Sequence, residues 1–117
     1  NKDLKVKPDV NIEDQREEDK LVRVLKFKEG LFYVSPKGEV TPLESTDELI
    51  EIFDKRLKSS DKKLSLSLTS DKNIEWPEVL DIHKLSTKRG ILSFSLHSAD
   101  QEAKEKYLKK NSEPLTR

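Results

Sequence analysis

Two histidines, His83 and His97, and a run of carboxylates, Asp71, Glu75, Glu78 and Asp81, are the side chains of this 117-residue chain whose types could do chemistry. An imidazole and a carboxylate brought within reach of one substrate can act as general base and acid. A metal centre needs three or four converging His, Cys or carboxylate ligands, and the spacing of these residues suggests none. The carboxylates surround the predicted start of a helix, where the helix dipole alone favours negative charge. There is no glycine-rich phosphate loop and no nucleophile motif, and the three glycines suit turns and a helix stop. The chain is therefore expected to be a non-enzyme with no cofactor and no bound metal. A small hydrolase using Asp71, Asp81 or His83 is the alternative, and it requires these side chains to converge in a pocket with a raised carboxylate pKa.

Composition narrows the classes further. Lys plus Arg and Asp plus Glu are equal at 23 each, so no overall basic field recruits nucleic acid. The short basic clusters Lys62-Lys63, Lys88-Arg89 and Lys109-Lys110 alternate with acids and fit a solvated surface. Hydrophobic content of 32% against 39% charge points to one modest core with solvated tails. The absence of cysteine excludes disulfides. No apolar run approaches the ~20 residues that span a bilayer. The chain starts at Asn1 and has no methionine, which suggests a piece of a longer protein whose upstream part could hold a membrane segment.

The elements that position these residues follow from periodicity. In Lys63–Ser98, Leu64, Leu66 and Leu68 alternate with Ser65 and Ser67, and Leu92, Phe94 and Leu96 alternate with Ser93 and Ser95. Period two places each apolar set on one face of a strand. Val79, Leu80, Ile82 and Leu85 between them form a helical stripe that starts at Trp76-Pro77 and ends at Gly90. A unit of this length joins two parallel neighbouring strands. Upstream, Leu21–Lys28 and Leu31–Val34 are predicted strands joined through Glu29-Gly30, and Ser35-Pro36-Lys37-Gly38 is a β-turn before a short third pairing at Glu39–Thr41. A helix follows, with Ser45 and Glu48 as a capping box and Leu49, Ile50, Ile52, Phe53 and Leu57 as its stripe. Ser98 and Gln101 suggest a second box opening a terminal helix with Ala103, Tyr107 and Leu108 on its thin apolar side.

The expected fold is thus α+β: a two-layer domain with a mixed β-sheet, helices on one face, and order β-β-α-β-α-β plus a C-terminal helix. Residues 1–20 are expected to be an arm, 21–98 the domain, and 99–117 the terminal helix and tail. The bare sheet face carries Ser65, Ser67, Ser93 and Ser95 with no Lys or Glu among them, although charges are a usual defence of exposed strands. These serines are candidates for contact with a dimer mate or partner. The alternation Leu4, Val6, Val10, Ile12 would let the arm add as an edge strand, which makes Val10, Asn11 and Ile12 further contact candidates.

The residues from Val22 to Leu96 resemble the periplasmic domain of the ExbD/TolR family, single-span stator subunits of proton-driven inner-membrane motors. The resemblance lies in Val22-Arg23-Val24-Leu25, then Gly30-Leu31-Phe32-Tyr33-Val34, then Val40-Thr41-Pro42-Leu43 leading into Asp47-Glu48-Leu49. It continues through Leu64–Leu68, Asp71, Trp76, Glu78-Val79-Leu80-Asp81 and Gly90-Ile91, and covers about two-thirds of the chain. Where the family tends to carry Val-Asp-Leu-Pro after its membrane helix, this chain has Val10-Asn11-Ile12-Glu13, without the proline. The family's proton-linked aspartate lies on a membrane helix that this sequence does not include. The resemblance implies a periplasmic domain of a single-pass inner-membrane protein that forms a homodimer. It implies an ExbB- or TolQ-like channel protein and a TonB- or TolA-like protein as partners, with peptidoglycan as a further contact. It implies no nucleic acid, and contact with membrane only through the absent segment. The alternative from a different class is a generic soluble adaptor domain.

Overall fold

The computed structural model describes residues 20–60 and 63–112. The expected contact residues Val10, Asn11 and Ile12, and the arm that carries them, lie outside the described residues. Eight elements follow in order: β1 (Leu21–Phe27), β2 (Gly30–Val34), β3 (Val40–Leu43), α1 (Thr46–Ser59), β4 (Ser65–Asp71), α2 (Trp76–Lys88), β5 (Ser93–Ala99) and α3 (Gln101–Ser112). The five strands form one mixed sheet in the order β3-β2-β1-β4-β5. β1, β2 and β3 pair antiparallel, whereas β1, β4 and β5 run parallel. The fold is α+β, as expected, and β3 is a full strand rather than a brief return.

Local chemistry accounts for most boundaries. Phe27 pairs with Gly30, so the first hairpin turns at Lys28-Glu29, one residue earlier than expected. The positive φ of 146° falls at Gly30, on the strand's first residue. The Ser35–Gly38 turn forms as predicted: the Gly38 N–H donates to the Ser35 carbonyl at 2.8 Å, and the Ser35 hydroxyl accepts from the Glu39 N–H. Neither bond of the first capping box is made, because Glu48 reaches one residue past the N-cap. Ser45 holds the N-cap position without a side-chain bond, while Glu48 reaches back to accept from the Glu44 N–H at 3.0 Å. Gly90 ends α2 in a Schellman arrangement, with Ile91 N–H bonded to Ser86 O and Gly90 N–H to Thr87 O. That motif turns Ile91 into the core, where it is fully buried.

The second capping box does not form. β5 stays paired with β4 as far as Asp71 and Ala99, so Ser98 is still extended strand. Asp100 is the first residue free to cap, and its carboxylate accepts from the Ala103 N–H at 2.8 Å.

Two apolar clusters lie on opposite faces of the sheet. The larger holds Val22, Val24, Leu66 and Leu68 from the strands against Leu49 and Phe53 of α1 and Val79 and Ile82 of α2. The second holds Leu25, Phe27, Phe32 and Val34 against Ala103, Tyr107 and Leu108 of α3. The α1–α2 layer matches the expected two-layer plan, but the other face is not bare throughout. β1 and β2 are apolar on both faces, so the face away from α1 and α2 had to be covered there, and α3 covers it. Among the described residues, the β4–β5 part of that face is left without a helix.

Candidate functional site

β5 is one edge of the sheet among the described residues, and its sequence SFSLHSA contains neither a Lys, Arg, Asp or Glu nor a proline. Six of its seven residues are exposed or half-exposed, with only Ala99 buried. On the face shared with α2, Leu96 is 39% exposed, and Phe94 is half-buried beneath the His83 ring, with centroids 4.5 Å apart. Trp76, Leu80 and His83 recur at helical spacing along the flank of α2 nearest this edge. Trp76 is 64% exposed and Leu80 44%; Leu92, just before β5, is 75% exposed. A strand edge offers unpaired backbone N–H and C=O groups, and here an apolar rim accompanies them.

On the opposite face the four predicted serines come together in register: Ser65 lies beside Ser93, and Ser67 beside Ser95. Ser93 and Ser95 are exposed, Ser65 is half-buried, and Ser67 is buried between Arg23 of β1 and Ser95 of β5. The open serine surface is therefore narrower than the sequence implied and lies toward the edge. The Ser95 hydroxyl is 3.1 Å from His97 Nε2, two residues along the same strand. The alternation that grouped the serines also placed His97 on their face, so that pairing was legible in the sequence.

The candidate acid–base residues are spread out. Asp81 is exposed on α2, Glu78 pairs with Lys26 at 3.2 Å, and His83 packs on Phe94. Asp71 sits at the end of β4, where Oδ1 accepts from Lys104 Nζ at 2.9 Å and Oδ2 from the Lys28 N–H at 2.7 Å. Burial pushes the Asp71 carboxyl up, but the bonds from Lys104 and the Lys28 backbone, with the charge of both lysines, outweigh it and hold the pKa below its ordinary value. This is the reverse of the raised carboxylate that the hydrolase alternative requires. Among the described residues, no three His, Cys, Asp or Glu side chains are placed to hold a metal, and no helix is long and apolar enough to cross a membrane.

Lys104 is the residue that sequence reasoning missed. It is 6% exposed, bonded to Asp71 and, at 3.3 Å, to Glu29, with its ammonium 5.8 Å from the Phe27 ring centroid. The Asp71 bond raises its pKa more than burial lowers it, so it stays charged. In a sequence this rich in lysine, only its i, i+3 and i+4 spacing to Ala103's neighbours Tyr107 and Leu108 hinted that it faces the sheet.

No protein-family model matches the chain, and no curated protein matches it.

Proposed function

We propose that this chain is a protein-interaction domain that pairs through β5 with a second copy of itself, and that it serves as the periplasmic domain of an ExbD/TolR-like stator subunit. The observation that carries the pairing is the uncharged, seven-residue open edge of β5 with its rim of Leu92, Leu96, Leu80 and Trp76. The edge is self-complementary. An antiparallel twofold through Ser95 sets Phe94 against Leu96 of the second copy and Ser93 against His97, so no like charges meet. α2 of each copy would then lie on the same side of a continuous sheet, bringing the Leu80 and Trp76 flanks together.

The stator reading rests on the residue pattern from Val22 to Leu96 and on the βαβ order of the domain. In that role the domain does no chemistry. It transmits force by changing its contacts with a channel protein of the ExbB or TolQ kind and a TonB- or TolA-like partner, in a complex driven by the proton-motive force.

Solution mass measured across protein concentration tests the pairing. A reversible dimer is expected for this chain, and Leu96→Lys, at an already exposed position, should weaken it about tenfold or more by setting like charges close together across the twofold. A strict monomer at all concentrations overturns the edge reading. Co-purification of the full-length, membrane-embedded protein with a channel-forming partner tests the stator role separately, and its absence overturns that role alone.

A further inference from the structure

β5 bears no Lys, Arg, Asp or Glu in a chain that is 39% charged, yet both histidines of the chain stand at this edge. His97 is exposed in β5 itself, on the serine face, with Nε2 3.1 Å from the Ser95 hydroxyl. His83 reaches the edge from α2 on the other face, half-buried, with its ring centroid 4.5 Å from that of Phe94. Histidine is the side chain whose ordinary titration falls between about pH 5 and pH 8. An edge without charge in alkaline solution therefore gains two positive charges per copy in acid.

No fixed charge is placed to offset them. Around His83, the flank of α2 holds Trp76, Leu80 and Thr87, and β5 presents Phe94. The charged residues of α2 next to it, Asp81 and Lys84, are exposed and of opposite sign. Around His97, β4 presents Thr69 in register, and β5 presents Ser95. Asp71, two residues along β4, is bonded to Lys104 of α3, which also holds Glu29. Asp100 caps α3 through the Ala103 N–H, Glu102 is exposed, and Glu105 is bonded to Gln101.

We infer that pairing through β5 is governed by pH, with protonation of His83 and His97 releasing the two copies. This rests on the pairing proposed above and adds what controls it. The twofold runs through Ser95, so the two His83 rings, each on its own Phe94, flank it on one face. The two His97 side chains stand two residues from it on the other, each opposite Ser93 of the second copy. Pairing lays Leu96 of the second copy beside Phe94 and strips water from the half-buried His83 ring. An imidazolium there loses hydration and gains its symmetry mate as a like charge, and both effects disfavour the charged form. The attraction of an imidazolium for the Phe94 ring exists with or without pairing, so it does not offset this. Free copies then bind protons more readily than the pair does, and by linkage acid drives dissociation.

Sedimentation equilibrium of the full chain at constant ionic strength, from about pH 8 to about pH 5.5, tests this. The dissociation constant is expected to rise about tenfold from the alkaline to the acid end. His83→Gln combined with His97→Gln should pair as the parent does at the alkaline end and keep that affinity in acid. Neither side chain is buried, so the variant folds, and its circular dichroism verifies this. His83→Lys combined with His97→Lys carries the charge throughout, and should pair at the alkaline end as weakly as the parent does in acid. A parent dimer of level affinity across the range overturns the inference and leaves the pairing standing. So does acid weakening that the first double variant retains, or tight pairing by the second. A monomer at every pH overturns the pairing itself, and the inference with it.

Discussion

The two halves of the sheet solve the same problem differently. In the β3-β2-β1 half, apolar side chains stand on both faces: Val22 and Val24 against α1 and α2, and Leu25, Phe27, Phe32 and Val34 against α3. Its outer edge is the four-residue β3, with Pro42 in it, and proline cannot donate to a further strand. The β4–β5 half is apolar on one face and serine-rich on the other, and its outer edge is a seven-residue strand with no charge and no proline. The first half is closed by the chain's own helices. The second is closed on one face and, among the described residues, open at its edge.

Truncating one phenylalanine in each half tests this division with the largest effects. Phe27 is fully buried beneath α3, and Phe27→Ala should cost about 3–5 kcal/mol by denaturant unfolding. Phe94 is half-buried at the open edge, so Phe94→Ala should cost about 1–2 kcal/mol when the chain is monomeric. Equal costs would mean that the edge is packed as tightly as the closed half, and the contrast would fail.

The alternation that separates the halves is plain in the sequence, because period two holds from Leu64 to Leu68 and from Leu92 to Leu96. The helices were legible for the same reason, through Pro77 at one end of α2 and Gly90 at the other. What the alternation did not convey was that β1 carries two apolar faces. Leu25 and Phe27 share a side with Arg23, and the charge of Arg23 masks how much apolar surface that side holds. The capping error at Ser98 has a different cause. Whether a serine caps a helix or lies in a strand depends on how far the neighbouring strand extends, which is a tertiary fact. The meeting of Asp71 with Lys104 was illegible because the end of β4 and the first turn of α3 are far apart in sequence and come together only through the parallel register.

A smaller effect sharpens the role of α3. Its apolar side is thin, with Ala103, Tyr107 and Leu108 each only half-buried, and the Tyr107 ring lies 6.3 Å from that of Phe27. Tyr107→Ala should destabilise the domain by about 1–2 kcal/mol. Hydrogen exchange should accelerate in α3 while the amides of β4 and α2 keep their protection. Uniform acceleration across all elements would show that α3 unfolds only with the whole domain, and that the closed half is one unit with the open one.

The smallest effect concerns charge at the start of α3. Asp71→Asn keeps an oxygen for the Lys28 N–H but removes the charge that faces Lys104. The carboxyl of Asp71 titrates lower in the folded chain than its ordinary 3.8, so its stabilising contribution is complete above that value and is lost as pH falls through the folded pKa. Lys104 is shifted the other way, upward from 10.5, so its contribution is complete below that pH and is lost only as pH rises through the folded pKa. The stability difference between the parent chain and Asp71→Asn should therefore stay level from about pH 5 to pH 9 and shrink below about pH 4. Glu78→Gln, which breaks an exposed pair with Lys26 on the α2 side, should change stability by less than about 1 kcal/mol. A pH-independent gap for Asp71→Asn would place the role of Asp71 in its hydrogen bonds rather than its charge, and the charge of Lys104 would then be matched chiefly by Glu29 at the β1–β2 turn.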